Sequence, residues 1–101
     1  MTFEIKVKVG FFKTQPYQLT FGPGQIILTP LEDIDNGLLV IKGQDLKSVS
    51  IMRRMPSGEI EIATHSNTFI GTFNSQSDLE DVAKILSKGF SAKFTFHNEK
   101  F

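Results

Sequence analysis

Cysteine and tryptophan are both missing from this 101-residue chain. Without cysteine there is no disulfide framework, no thiolate metal site and no nucleophilic thiol. Net charge is missing as well: 11 basic side chains balance 11 acidic ones. No overall field therefore gathers nucleic acid or an anionic membrane, although a local patch can still act. Long apolar runs are absent too. The longest, Leu38 to Ile41, falls far short of a membrane span. Lys6 and Lys8 interrupt the N-terminus where a secretory signal needs a continuous apolar stretch. No Asn-x-Ser/Thr acceptor, prenylation motif or myristoylation start occurs. A cytoplasmic protein is the expectation.

Chemical constellations are equally scarce. The two histidines, His65 and His97, have no ligand-like neighbour at helical or turn spacing. Asp33, Asp35, Asn36 and Gly37 have the look of a calcium loop, but the glycine comes one place early and no glutamate follows at the right distance. A hairpin turn explains them better. Lys88-Gly89-Phe90 begins like an RNA-recognition motif, and Ser91-Ala92-Lys93 then fails its aromatic requirement. Gly22-Pro23-Gly24 lacks the lysine-serine pair and following helix of a phosphate loop. No serine sits in a nucleophile elbow. Glu59 and Glu61 alternate on one strand face, where they solvate a sheet and pair with Arg54 more readily than they work as acid and base. No catalytic residue, metal site, cofactor or nucleic-acid partner is expected, and the chain does not read as an enzyme.

What the chain does have is a globular composition, 40% hydrophobic and 22% charged, and room for one domain over residues 1–101. Phe3, Ile5, Val7 and Val9 alternate with Glu4, Lys6 and Lys8, the period of a half-buried strand. Strands are expected at about 2–12, 17–22, 25–30, 38–42, 48–54, 59–64 and 68–74. Thr14-Gln15-Pro16 reads as a break, Gly22-Pro23-Gly24 as a turn and Asn36-Gly37 as a hairpin signal. A four-residue turn at Met55–Gly58 would set Ile51 opposite Ile62 and Arg54 opposite Glu59.

A helix is expected over 77–88. Ser77 and Glu80 have capping-box spacing, and Leu79, Val82, Ile85 and Leu86 make one apolar stripe. Gly89 reads as a left-handed stop, with Phe90 packing back on the last turns. The tail, 91–97, alternates Ala92, Phe94 and Phe96 with Lys93 and Thr95, which suits an extra C-terminal strand. Antiparallel strands with short turns curl into a sandwich or barrel, and the amphipathic helix would close its open end.

Seven strands followed by one late helix resemble the pleckstrin-homology (PH) fold, a partly open antiparallel barrel of four plus three strands capped by a C-terminal helix. The segment from Leu38 to Leu86 carries the resemblance. Ile41 to Ile51 resembles the entry to the fifth strand of PH and GRAM-like domains, Glu59 to Thr64 and Thr68 to Phe73 the next two strands, and Asn74 to Val82 the entry to the helix. The usual helix tryptophan is missing and extra sequence follows Phe90, so the resemblance is to a divergent, bacterial-type member.

The resemblance implies a non-catalytic binding or scaffold module for a protein or peptide, self-association included. Its expected contacts are the adjacent aromatics Phe11 and Phe12 and the Phe94–Phe96 edge. The alternative is weak attachment to anionic lipid head groups. Basic residues of lipid-binding PH domains cluster at the first strand and its following loop, where this chain has Lys6, Lys8 and Lys13. Gln18 and Thr20 stand where the second strand would add more. Each placed lysine is worth about 1 kcal/mol at an anionic surface.

Overall fold

The structure is a computed structural model that describes residues 2–8, 13–32, 37–53 and 58–98. Eight strands and one helix follow in order: β1 (Thr2–Lys8), β2 (Thr14–Gly22), β3 (Gln25–Pro30), β4 (Leu39–Lys42), β5 (Leu46–Arg53), β6 (Gly58–Thr64), β7 (Thr68–Phe73), α1 (Gln76–Gly89) and β8 (Phe94–Asn98). One open sheet holds the strands in the order β4-β3-β2-β1-β7-β6-β5-β8. The two edges do not pair with each other, so the barrel stays unclosed. This is the expected mainly-β architecture, a PH-like fold with a C-terminal helix and an additional strand.

Alternation decides which side of each strand turns inward. Phe3, Ile5 and Val7 are buried on β1, while Glu4, Lys6 and Lys8 are exposed. The same period buries Tyr17 and Leu19, Ile26 and Leu28, Val49 and Ile51, and Ile60 and Ile62. The rings of Phe3 and Phe21 meet edge to face at 6.4 Å. On β7 the inward position between Phe69 and Phe73 is Gly71, because Ile5 and Ile60 press within 2.9 and 3.3 Å of where a Cβ would stand. At the β2–β3 turn, Pro23 suits the first central position and Gly24, at φ 66°, supplies the second.

Helix α1 closes one end. Leu79, Val82 and Leu86 are fully buried, with Ala83 and Ile85 partly buried beside them. Its start lies over the β5–β6 hairpin, where Leu79 fills the space that a Cβ on Gly58 would need. Fourteen residues at 1.5 Å each reach about 21 Å. At the far end Gly89 and Phe90 line a shallow cleft with the Gly24 and Gly43 turns. Arg53, at the end of β5, ties down the first turns by an ion pair to Glu80 at 2.5 Å and a hydrogen bond to Gln76.

Several local expectations need correction. The N-cap is Ser75, not Ser77: its hydroxyl accepts from the Asp78 amide at 3.1 Å. The cap lies two residues earlier and the helix begins at Gln76, one residue before its expected start, and Asp78 takes the favourable first-turn position. Gly89 is the last helical residue and not a left-handed stop; Phe90 ends the helix, its amide donating to the Leu86 carbonyl. On β5–β6 the register sets Ile51 opposite Ile60 and Val49 opposite Ile62. Ile51 is thus displaced by two residues from its expected partner Ile62. An even displacement keeps each residue on its face, so hydrophobic patterning cannot distinguish the two registers. Glu59 faces Met52, and the expected partner Arg54 lies outside the described residues.

Pro16 does not break the sheet. It sits within β2, opposite Lys6. Its carbonyl accepts from the Leu31 amide at 3.1 Å, so its missing N–H faces the same way, just past the end of β3. One hydrogen bond is forgone where the ladder stops anyway. β5 starts at Leu46, two residues before its expected start, and the tail pairs with it in parallel, Val49 to Phe94 through Arg53 to Asn98.

Two stability outcomes follow. Leu86→Ala removes a fully buried lid side chain and lowers the unfolding free energy by about 2–5 kcal/mol; an unchanged urea midpoint would show that α1 does not seal the core. Glycine-to-alanine changes should split by site. Gly58→Ala collides with Leu79 and lowers thermal stability by about 1–3 kcal/mol. Gly89→Ala, with open space around it, raises stability by about 0.5–1 kcal/mol in the same melt.

Candidate sheet-edge and barrel-mouth site

The interior is filled by apolar side chains, so the places left for recognition are the outer face, the two sheet edges and the end that α1 does not cover. The outer face carries the charges. Lys6 and Lys8 project from β1, and Lys13 is exposed just before β2. Lys6 stands opposite Thr72 on β7, and Thr72 opposite Glu59 on β6. Two strand spacings put Glu59 about 10 Å from Lys6 on the same face. Glu61 follows Glu59 outward, and Glu4 precedes Lys6. The surface around Lys6 is therefore not purely basic, since Glu4 on β1 and Glu59 two strands away share its face. Phe11 and Phe12 lie outside the described residues.

The end opposite α1 is a shallow mouth. One cleft of about 610 Å³ is lined by Val7, Lys8, Tyr17, Leu28, Leu39 and Phe69, among others. It adjoins a smaller one of about 240 Å³ between Leu39–Ile41 on β4 and Thr64–Asn67 at the β6–β7 turn. His65 is exposed in that turn, which Thr64 shapes by accepting from the Asn67 amide at 2.9 Å. His97 is exposed on β8 opposite Met52, at the other end of β5 from Leu46, which pairs with Thr64. The structure does not bring the two histidines together, and no cluster of three potential metal ligands occurs among the described residues. No helix of the described residues is long and apolar enough to cross a membrane.

The two edges differ in chemistry. β8 is held in place. Phe94 is half-buried against the core, and Phe96, 40% exposed, follows it on the same side. Lys93 anchors the strand where it begins. Its ammonium donates to the Gly43 and Leu46 carbonyls at 2.6 and 2.7 Å, at the corner between β4 and β5. Its own carbonyl accepts from the Val49 amide at 2.9 Å and opens the β5–β8 ladder. Nothing in the sequence marked Lys93 for this, since its partners lie 47 and 50 residues away and are backbone atoms.

β4 is the bare edge. Leu39 and Ile41 turn inward, while Val40 and the preceding Leu38 turn outward with exposures of 45% and 59%. Val40 pairs with Ile27 of β3, and Leu31, 44% exposed, continues the same outward side. Three of the four exposed large hydrophobics among the described residues therefore gather at this edge, the fourth being Phe96. The sequence contained this signal in the apolar run Leu38–Ile41, which reads as an ordinary strand until its edge position is known.

Against known proteins, no family model and no curated protein matches the chain. Solved structures do match. A chain in the structure of the Spt16D Pob3N heterodimer superposes with a TM-score of 0.67 at 17% identity, covering 98% of this chain and 53% of that one. The chain thus spans about half the length of that protein. The C-terminal domain of an unknown protein from Leishmania infantum superposes with a TM-score of 0.61, also at 17% identity, over 87% of this chain and 80% of that one. At such identities the likeness establishes the fold and does not transfer an activity.

Lys93 provides the test of how the β8 edge is held. Lys93→Met keeps the stem and removes both charge-assisted bonds, so stability falls by about 1–3 kcal/mol. Amide exchange should speed up across residues 94–98 more than across β1; uniform protection would show that the clamp does not hold β8.

Proposed function

We propose that the chain is a non-catalytic, divergent PH-like binding or scaffold module whose ligand is a protein or peptide segment taken at a sheet edge. The observation that supports this is the pairing of an open sheet with an apolar, uncovered edge strand at β4. An unpaired edge offers backbone donors and acceptors to an incoming strand, and alternate side-chain positions supply selectivity. The heterodimer in one of the structural neighbours is in keeping with a protein partner in general. A cytoplasmic setting remains part of this reading.

Lipid attachment is the second reading. Lys6, Lys8 and Lys13 are exposed near the first hairpin, which favours it. Glu59 and Glu61 on the same face oppose it, and the chain's overall neutrality adds no attraction. Three lysines give about 3 kcal/mol at most, which is weak attachment.

The readings separate in two measurements. Panning a random peptide library against the chain should enrich extended sequences with alternating apolar residues, and Val40→Asp should weaken their binding at least tenfold. Co-sedimentation with vesicles containing phosphatidylserine should be negligible at physiological salt. Strong vesicle binding abolished by Lys6→Glu, together with no peptide enrichment, would reverse the order of the two readings.

A further inference from the structure

β4 combines three features that do not normally occur together. It is an edge strand, it is apolar on both faces, and its apolar residues are consecutive from Leu38 to Ile41. A strand apolar on both sides belongs in the middle of a sheet covered on both faces. An edge is ordinarily protected by charge, proline or a bulge. Here the only charge on the strand is Lys42 at its C-terminal end, and no proline or glycine lies within it. The inner face is covered by the core. On the outer face Leu31, Leu38 and Val40 stay exposed, with Ile27 partly exposed between them, and no element of the described residues packs over them.

Resting on the edge-binding reading above, we infer that the partner of β4 is the β4 strand of a second copy, paired antiparallel about a two-fold axis near Val40. Self-complementarity selects this occupant. A two-fold contact places the same patch on both sides, so the exposed Val40 meets its own counterpart. In the register with Val40 opposite its counterpart, Leu38 lies opposite Lys42, whose aliphatic stem covers it while the ammonium reaches solvent. The two ends of the patch also carry opposite charges, Glu32 beyond Leu31 and Lys42 beyond Ile41. The antiparallel arrangement turns the basic end of each copy toward the acidic end of the other; a parallel arrangement would align like ends. The zero net charge leaves no general repulsion between copies.

The contact is small. A four-residue strand and its outward neighbours bury less than the about 800 Å² per partner of a standard interface, so the dimer is weak and depends on concentration. β8, the other edge, alternates Phe94 and Phe96 with Thr95 and His97, so it lacks the consecutive apolar run that β4 carries.

The absence of cysteine makes the test clean. Directly opposed residues of an antiparallel pair have Cβ atoms about 4.5–5.5 Å apart, close enough for a disulfide after small adjustment. Val40→Cys should therefore form a covalent dimer under mild oxidation, at least tenfold faster than Thr95→Cys, placed on the exposed side of β8. In sedimentation, the unmodified chain should move from monomer toward dimer between micromolar and millimolar concentration. Val40→Asp, with an unchanged circular dichroism spectrum, should remain monomeric. A monomer at every concentration, equal crosslinking at the two edges, or preferential crosslinking through β8 would overturn the inference. If the chain is monomeric yet library peptides still bind at β4, self-pairing fails while the edge-binding reading stands. If neither occurs, both fall.

Discussion

The whole arrangement depends on one contact surface: the side of α1 formed by Leu79, Val82 and Leu86 laid over the end of a curved sheet. A seven-strand antiparallel wall that curls without closing leaves apolar side chains at its end exposed to water. Three fully buried residues on the helix remove that exposure, at about 1.5–3 kcal/mol each. The fit is close enough that β6 must begin with a glycine, because Leu79 occupies the volume beside Gly58. Once the lid is seated, each strand has a defined inner and outer face, and alternation assigns nearly every apolar side chain to the interior.

That economy leaves little inside for chemistry. Among the described residues the core is apolar apart from the Tyr17 hydroxyl, and no charged side chain is buried. Recognition is then left to backbone edges and to the mouth opposite the helix. The two edges differ in how the chain secures them. β8 is clamped at the β4–β5 corner by a lysine that satisfies two carbonyls. β4 ends at the same corner, held by a bond from the Gly43 amide to the Gly24 carbonyl at 2.8 Å, and its length remains unpaired on one side.

How much of this was readable from residue order differs feature by feature. The strand pattern, the helix and its apolar stripe followed from periods of two and 3.6, which are local properties. The β5–β6 pairing was found with the correct faces and a wrong offset, since a shift of two leaves the pattern unchanged. Ser77 was read as the cap from its spacing to Glu80, and Ser75, two residues upstream, holds that position in the structure. Pro16 was read as a break because proline removes a donor; its neighbour β3 happens to end where that donor would have been used. Among the proposed contact residues, Lys6, Lys8 and Lys13 were correctly read as outward by alternation and loop position, but the carboxylates two strands away could not be placed beside Lys6 without the strand order. Phe94 was marked as an edge contact, whereas much of it is taken up by the core.

The amino-acid order alone determined element types, inner and outer faces, and the absence of thiol chemistry and of net charge, because each depends on neighbours a few residues apart or on simple counts. Tertiary structure decided which strands became edges, that the tail would lie parallel to β5, and that Lys93 would meet carbonyls some 50 residues away. Those outcomes depend on how curvature and the helix lid bring distant backbone together. An edge is defined by the neighbour a strand does not have, and no residue along β4 encodes that by itself.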